Sequence, residues 1–389
     1  MTKIGNPGIG GTHRDNVVIV GAGPVGVATA VSLLDRGISP TLIDRADEVA
    51  SRWRNYSSMT GLMTGKWFSH IPGRPYPRHT PRFPSCDQVA EYFNRHAHRD
   101  GIELRLGTDV KRIDSWGSKW RLTISGGVIE AGEVVVATGY ANIPYLPKMK
   151  DMNKFRGDLL HTSSFGEPDR YRGKRVLVIG AGPSGLQAAH DIAPVADKVW
   201  LAVRTPPNLV ARQSFWGNSV DVVAGPLFHA PVRAADAIAR FVQRRTIGDL
   251  TRYGLPFPDE GPFTLAARNV PVAVVDMAVI ASVRNGAVQV VSTIERFHGT
   301  SVTLVDGMQL EPDVVICATG YRTGLGPLVG HLDVLDKDEV PIRFAPEPAA
   351  NGLWFIGYQR RPTLIGHAAR QSRRLAKCMA AREPAAQSA

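Results

Sequence analysis

Glycine stands at two places in this chain where the backbone itself could do chemistry. Gly21, Gly23 and Gly26 follow the apolar run Val17-Val18-Ile19-Val20, and Gly180, Gly182 and Gly185 follow Val176-Leu177-Val178-Ile179. Each run reads as a buried parallel strand, and each G-x-G-x-x-G as the turn into a helix. The first glycine permits the tight turn, the second lets a pyrophosphate approach the main chain, and the third lets helix and strand pack closely. Ala22, Pro24 and Val25 complete the first turn, Pro183 and Ser184 the second. The helix start then offers free N–H groups and a positive dipole end to phosphate. Two copies imply two dinucleotides held at once, an arrangement suited to a flavin that is fed by a nicotinamide.

The residues that end the next strands separate the copies. Asp44 closes Thr41-Leu42-Ile43, 23 positions after Gly21, where an acidic side chain accepts hydrogen bonds from ribose hydroxyls. Arg204 closes the run from Lys198 to Val203, 24 positions after Gly180. A cation there suits a ribose 2′-phosphate through charge-assisted hydrogen bonds. The expectation is FAD in the first half and NADPH in the second. Both residues could also be plain surface charges, but their matched positions and opposite signs favour the paired reading.

The elements that position these turns follow from the pattern. Pro24 to Arg36 reads as a helix closed by Gly37, and Pro183 to Ile192 as its counterpart, stopped near Pro194. Strand character recurs at Trp120–Ser125, Glu133–Ala137, Val288–Val291 and Val302–Val305. Between Phe215 and Pro262 the chain reads as irregular, with an amphipathic patch (Ala234, Ala237, Ile238, Phe241, Val242) at helical spacing. Val134-Val135-Val136-Ala137-Thr138-Gly139-Tyr140 is echoed by Val314-Val315-Ile316-Cys317-Ala318-Thr319-Gly320-Tyr321, as though a strand left a domain twice through one kind of turn. The fold class is therefore α/β, with two Rossmann-like dinucleotide-binding domains and the NADPH domain inserted into the FAD domain. The expected boundaries put residues 1–160 and 310–389 in the FAD domain. Residues 161–309 form the NADPH domain, with a pocket insert near 215–262. Leu353 to Gly357 would end the outer sheet, and the helix after Thr363 could aim its N-terminus at the flavin ring.

Composition limits the alternatives. The 389 residues suffice for two domains, and 43% apolar with 21% charged content is ordinary for a soluble globular chain. No apolar run nears the ~20 residues that span a bilayer. Met1 to Asn16 lacks a signal-peptide pattern, so a cytoplasmic location without membrane contact is expected. The net charge of +11 raises nucleic acid as a partner. Of the basic stretches Arg233–Arg252 and Arg360–Arg382, the second interleaves apolar residues like a helix with one solvated face, and a basic surface also attracts NADPH, so no nucleic-acid partner is expected. Cys86, Cys317 and Cys378 are far apart, without a C-x-x-C dithiol. His96 and His98, two apart, point to different helix faces, and no metal site is expected.

Phe155-x-Gly157-x-x-x-His161-x-x-x-Phe165 lies just before the second glycine turn. With both turns around it, the chain resembles the single-component, NADPH-dependent flavin-containing monooxygenases over about residues 16–380. Lys66-Trp67-Phe68, Pro75-Tyr76-Pro77 and Thr251-Arg252-Tyr253-Gly254-Leu255-Pro256 look most like the short branch that includes plant indole-3-pyruvate monooxygenases. Phe165-Gly166 is the monooxygenase form of the element rather than the Baeyer–Villiger form. Asp44 stands where relatives commonly carry Glu, and Met63-Thr64-Gly65 before Lys66 lacks the Asn of the animal-type branch.

The resemblance implies hydride transfer from NADPH to the flavin, addition of O₂ to give a C4a-hydroperoxyflavin, and insertion of one oxygen atom into a small molecule. That molecule would react at an N or S heteroatom, or as a ketone or 2-oxo acid. It further implies Arg45, Trp53, Val110, Ala137, Thr138, Gly139, Thr363 and Leu364 beside FAD, and Arg212, Ala318, Thr319, Gly320 and Tyr321 beside NADP. Lys66 and His161 are the side chains it brings to the catalytic centre, His161 as organiser of the domain junction. Phe215, Trp216, Leu227 and Phe228 are candidates to line the substrate pocket, with core packing as the alternative. A flavoprotein reductase that passes electrons to another acceptor is the rival, and it lacks the expected C-x-x-C. The oligomeric state leaves no mark in the sequence.

Overall fold

A computed structural model describes residues 16–54, 61–213, 217–268, 270, 272–359 and 363–381. Val17–Val20 is buried along its whole length and pairs in parallel with Pro40–Ile43 and with Glu133–Val136. Glu103–Arg105 and Leu353–Phe355 extend this to five parallel strands, in the order 353–355, 133–136, 17–20, 40–43, 103–105. Both faces are covered, which is why the central run is apolar without alternation. Val17, Ile19 and Leu42 pack with helices Pro24–Leu34, Cys86–Ala97 and Leu364–Ala381. Val18, Val20 and Ile43 pack on the other side with Ile113, Trp120 and Leu122 of a three-stranded antiparallel sheet. Helix Cys86–Ala97 starts in a capping box, Ser85 and Gln88 each serving the other's backbone N–H.

The second sheet repeats the plan, with five parallel strands in the order 289–291, 198–202, 175–179, 314–317, 158–161. Its outer strand differs in origin. In the first sheet that place belongs to the last strand of the chain; in the second it belongs to Asp158–His161, which precedes the glycine turn. The chain thus enters the second unit on Asp158–His161 and leaves it on Val314–Cys317, side by side. The second unit is inserted into the first.

Boundaries near 160 and 310 need correcting on this point, because both of these strands lie inside the second sheet. The crossing is the two-stranded antiparallel ribbon of Ile143–Pro144 against Tyr321–Arg322. Local pattern marks a strand but not the sheet it joins.

The 215–262 region, expected to be irregular, contains helices Val220–Leu227 and Val232–Thr246. The second helix turns most of its expected apolar face outward, Val242 at the cavity excepted. Ile238 and Phe241 are exposed, while Asp236 and Gln243 are buried. Asp236 Oδ1 accepts from the Phe263 N–H at 2.7 Å and Oδ2 from the Thr264 hydroxyl at 2.5 Å, so the carboxylate caps the start of helix Pro262–Ala267. A buried cap outweighs apolar patterning here.

Candidate active site

The two glycine turns are built alike. Gly21 holds φ +112° and Gly180 φ +106°, and a Cβ on either would meet the carbonyl of Ala137 (2.7 Å) or Ala318 (2.8 Å). Those carbonyls belong to the echoed Ala-Thr-Gly turns, which therefore seat the first glycine of each fingerprint. A Cβ at Gly26 would stand 1.7 Å from the Gly21 oxygen, and one at Gly185 would stand 1.9 Å from that of Gly180. The middle glycines are different. Gly23 and Gly182 have φ −73°, open to any L-residue, and nothing lies within 4 Å of a Cβ at either. Neither conformation nor packing demands glycine there. Both helices begin at these residues without a side-chain cap, so their first N–H groups face open space. The turns fit pyrophosphate groups on both counts.

Asp44 is half-buried and already bonded: Oδ2 accepts from the Ala22 N–H at 2.6 Å and Oδ1 from Ala46 at 2.9 Å. It ties the first turn to the strand end, and each oxygen keeps a lone pair for a ribose hydroxyl. Arg204 is exposed and makes no hydrogen bond or ion pair among the described residues. Arg45 Nη2 donates to Asn142 Oδ1 at 2.8 Å, and Asn142 Nδ2 to the Thr323 carbonyl at 3.0 Å, joining the first unit to the crossing ribbon. Thr138 Oγ1 lies 2.8 Å from the buried Tyr358 hydroxyl. Val110 packs on the core that holds Val20 and Ile43.

His161 is 5% exposed at the end of the entering strand. Its Nδ1 accepts from the Ser163 N–H at 3.0 Å, leaving Nε2–H to donate to the Gly320 carbonyl at 2.9 Å. Burial, with the Arg52 guanidinium nearby, holds the imidazole below its ordinary pKa, so it is neutral. The Arg52 guanidinium lies 4.1 Å from the Tyr321 ring centroid, and the His161 ring meets Tyr321 edge-on at 4.7 Å. This cluster locks the turn at which the chain leaves the second unit.

A cavity of about 670 Å³ opens between the units. Trp53, Thr64, Thr363 and Leu364 line it from the first unit, Pro183, Ser184 and Gln187 from the second fingerprint helix, and Leu227, Phe228 and Gln243 from the insert. Thr363 holds φ +57°, rare for a β-branched residue, where helix Leu364–Ala381 begins.

Residues 18–216 match the family described as pyridine nucleotide-disulphide oxidoreductase. The indole-3-pyruvate monooxygenase YUCCA1 of Oryza sativa subsp. japonica is 31% identical over 362 residues, covering 91% of this chain and 89% of its own. The probable indole-3-pyruvate monooxygenase YUCCA9 of Arabidopsis thaliana is 31% identical, over 88% and 84%. The chain belongs to the flavin-containing monooxygenases. Its fold is that of the flavin-containing monooxygenase from Stenotrophomonas maltophilia, with a TM-score of 0.72 at 22% identity over 94% of this chain and 97% of the other. The monooxygenase uses FAD and NADPH, and its substrates are O₂ and a small molecule.

Within this monooxygenase Lys66 is not at the cavity, against expectation. Its ammonium donates to the carbonyls of Pro77 (3.5 Å), Arg78 (3.2 Å) and Thr80, and so clamps a loop. A lysine saturated by three carbonyls has no donor left for a reacting atom. Arg212 likewise turns from the cavity: its guanidinium lies 4.1 Å from the Phe83 ring centroid and 3.4 Å from Asp276 Oδ2, while Ala211 and Gln213 line the cavity. Of the pocket candidates Leu227 and Phe228 line it; Phe215 and Trp216 lie outside the described residues. Thr319 Oγ1 donates to the Tyr145 carbonyl, bracing the ribbon.

Sequence reading missed Arg52, Gln187, Asp191 and Asp221. No spacing signal distinguishes a polar residue that faces an internal cavity from one that faces solvent. Among the described residues no helix is long and apolar enough to cross a membrane, and no group of His, Cys, Asp and Glu could hold a metal.

Proposed function

We propose that FAD binds the first glycine turn, NADPH the second, and the oxygenated small molecule the cavity between them. The open space over Gly23 and Gly182 carries this reading: both are uncapped helix starts with room for a pyrophosphate against the first N–H groups. Bound there, FAD and NADPH would supply hydride transfer and the activation of O₂ for transfer of one atom. The chain's own part is positional. The uncapped helix starts hold the pyrophosphates, Asp44 receives a ribose hydroxyl, and Arg204 offers its guanidinium, unpaired among the described residues, to the 2′-phosphate. Neutral His161 fixes the Gly320 turn beside the cavity, which keeps Tyr321 in place at its wall. Leu62, Leu227 and Phe228 make that wall apolar and exclude water from the reacting atoms.

The cysteines weigh against the reductase. Cys86 lines the cavity, but burial pushes its thiol up to about 12, and neither Cys317 nor Cys378 lines the cavity with it. A protonated, solitary thiol is no exchange centre. The test is turnover under ¹⁸O₂. One labelled atom should enter the product for each NADPH oxidised. Recovery of all the oxygen as peroxide, with every substrate tried, refutes the proposal.

A further inference from the structure

Resting on the cavity as the substrate site, we propose that Asp191 selects for a small apolar molecule that carries an ammonium group remote from the oxygenated atom, and against carboxylates. Among the described residues that line the cavity there is no lysine, arginine or histidine, and the only charged side chains are Asp191 and Asp221. Asp221 is held by two protein donors: its Oδ2 accepts from the Gly65 N–H at 2.8 Å and the Ser219 hydroxyl at 2.5 Å.

Asp191 is not. It is 5% exposed, and its Oδ1 accepts from Gln187 Nε2 at 2.7 Å, while Oδ2 makes no hydrogen bond among the described residues. Burial raises its pKa despite the Gln187 contact.

Its position is also unfavourable for structure alone. Asp191 lies in the last turn of helix Pro183–Ile192, where the helix dipole opposes negative charge. The adjacent His190 pulls the Asp191 pKa down and Glu167 pushes it up, so burial is not offset within the protein, and the carboxylate is costly unless it keeps a proton or a cation enters to pair with it. Ser184, Gln187 and Asp191 share one face of this helix along the cavity. Asp191 stands about 10 Å along the axis from Ser184, at the end away from the second glycine turn. A ligand with its cation there can extend an apolar body toward Trp53 and Leu364. Among the described lining residues a 2-oxo acid, the substrate class named for the plant relatives, would meet two carboxylates and no balancing charge.

Three matched thioethers test this on the oxidised holoenzyme: 2-(phenylthio)ethylamine, 2-(phenylthio)ethanol and (phenylthio)acetate, with binding read from perturbation of the flavin absorbance. The wild type should bind the amine about 10- to 100-fold more tightly than the alcohol, and the acid least. Asp191→Asn should remove the amine's advantage and leave the alcohol within about twofold. An acid that binds as tightly as the amine to the wild type overturns the inference, without recourse to a variant. So does an Asp191→Asn enzyme that weakens amine and alcohol alike. Leu227→Trp, which fills the cavity, should weaken all three compounds. If it weakens none, the cavity is not the substrate site and the underlying reading fails. If it weakens all three while Asp191→Asn changes no preference, the inference alone fails.

Discussion

Replacing the middle and last glycines of the second turn by alanine should separate ligand binding from folding. Gly182 has φ −73° and open space where a Cβ would go, so alanine fits the folded chain. Lost freedom in the unfolded chain gains about 0.4–1 kcal/mol and the poorer N-cap gives back a similar amount, so Gly182→Ala should leave Tm within roughly 3 °C of the wild type. The same methyl group occupies the space through which a pyrophosphate would reach the helix N–H groups. Loss of one charge-assisted hydrogen bond costs about 1.5–3 kcal/mol, which raises the Kd for NADPH roughly 10- to 150-fold.

Gly185→Ala should do the reverse. Its Cβ would lie 1.9 Å from the Gly180 oxygen and 2.9 Å from the Ala318 Cβ, so the helix must lift from the strand. The cost is about 3 kcal/mol, the upper end for overpacking, and soluble protein should fall with it. Thermal unfolding gives Tm. Anaerobic flavin reduction at varied NADPH gives Kd, and flavin absorbance per protein shows that the first turn is still loaded. A Gly182→Ala enzyme with Tm lowered as far as in Gly185→Ala and unchanged Kd would refute the reasoning, since the space would then serve folding rather than a ligand.

Arg204→Ala should weaken NADPH by roughly 1.5–3 kcal/mol and leave NADH little changed; equal losses in steady-state KM would remove Arg204 from the 2′-phosphate. Lys66→Met, which frees the carbonyls of Pro77 and Thr80, should lower stability by about 1–2 kcal/mol with kcat within roughly threefold. A large fall in kcat at unchanged Tm would return Lys66 to the chemistry. His96 is held down from 6.5 to about 4 by burial and by Arg99, Arg74 and Arg95, and meets the Tyr92 ring edge-on at 4.8 Å. A depressed pKa means that the fold favours the neutral ring. Its stabilisation is full above pH 6.5 and is lost as pH falls toward about 4. After allowance for partial exposure this is on the order of 1–2 kcal/mol. Chemical denaturation across that window should show a shallower acid loss for His96→Gln; an unchanged slope would exclude His96 as the source.

Local chemistry wrote much of this protein into its sequence. Apolar runs followed by fixed glycines determine a strand, a turn and a helix start within ten residues, because steric fit and backbone hydrogen bonding act over that distance. Asp44 and Arg204 could be placed at strand ends for the same reason, and the Phe155–Phe165 element announced the family. Tertiary structure decided the rest. It set Val314–Cys317 beside Asp158–His161 in the second sheet, moved Lys66 from chemistry to a loop clamp, and turned Asp236 and Gln243 inward on a helix that leaves Ile238 and Phe241 exposed. It also carried Asp191, one polar residue among many on a helix, to the wall of a cavity. Each depends on which distant segment packs against which, and burial, unlike turn geometry, leaves no fixed spacing in the chain.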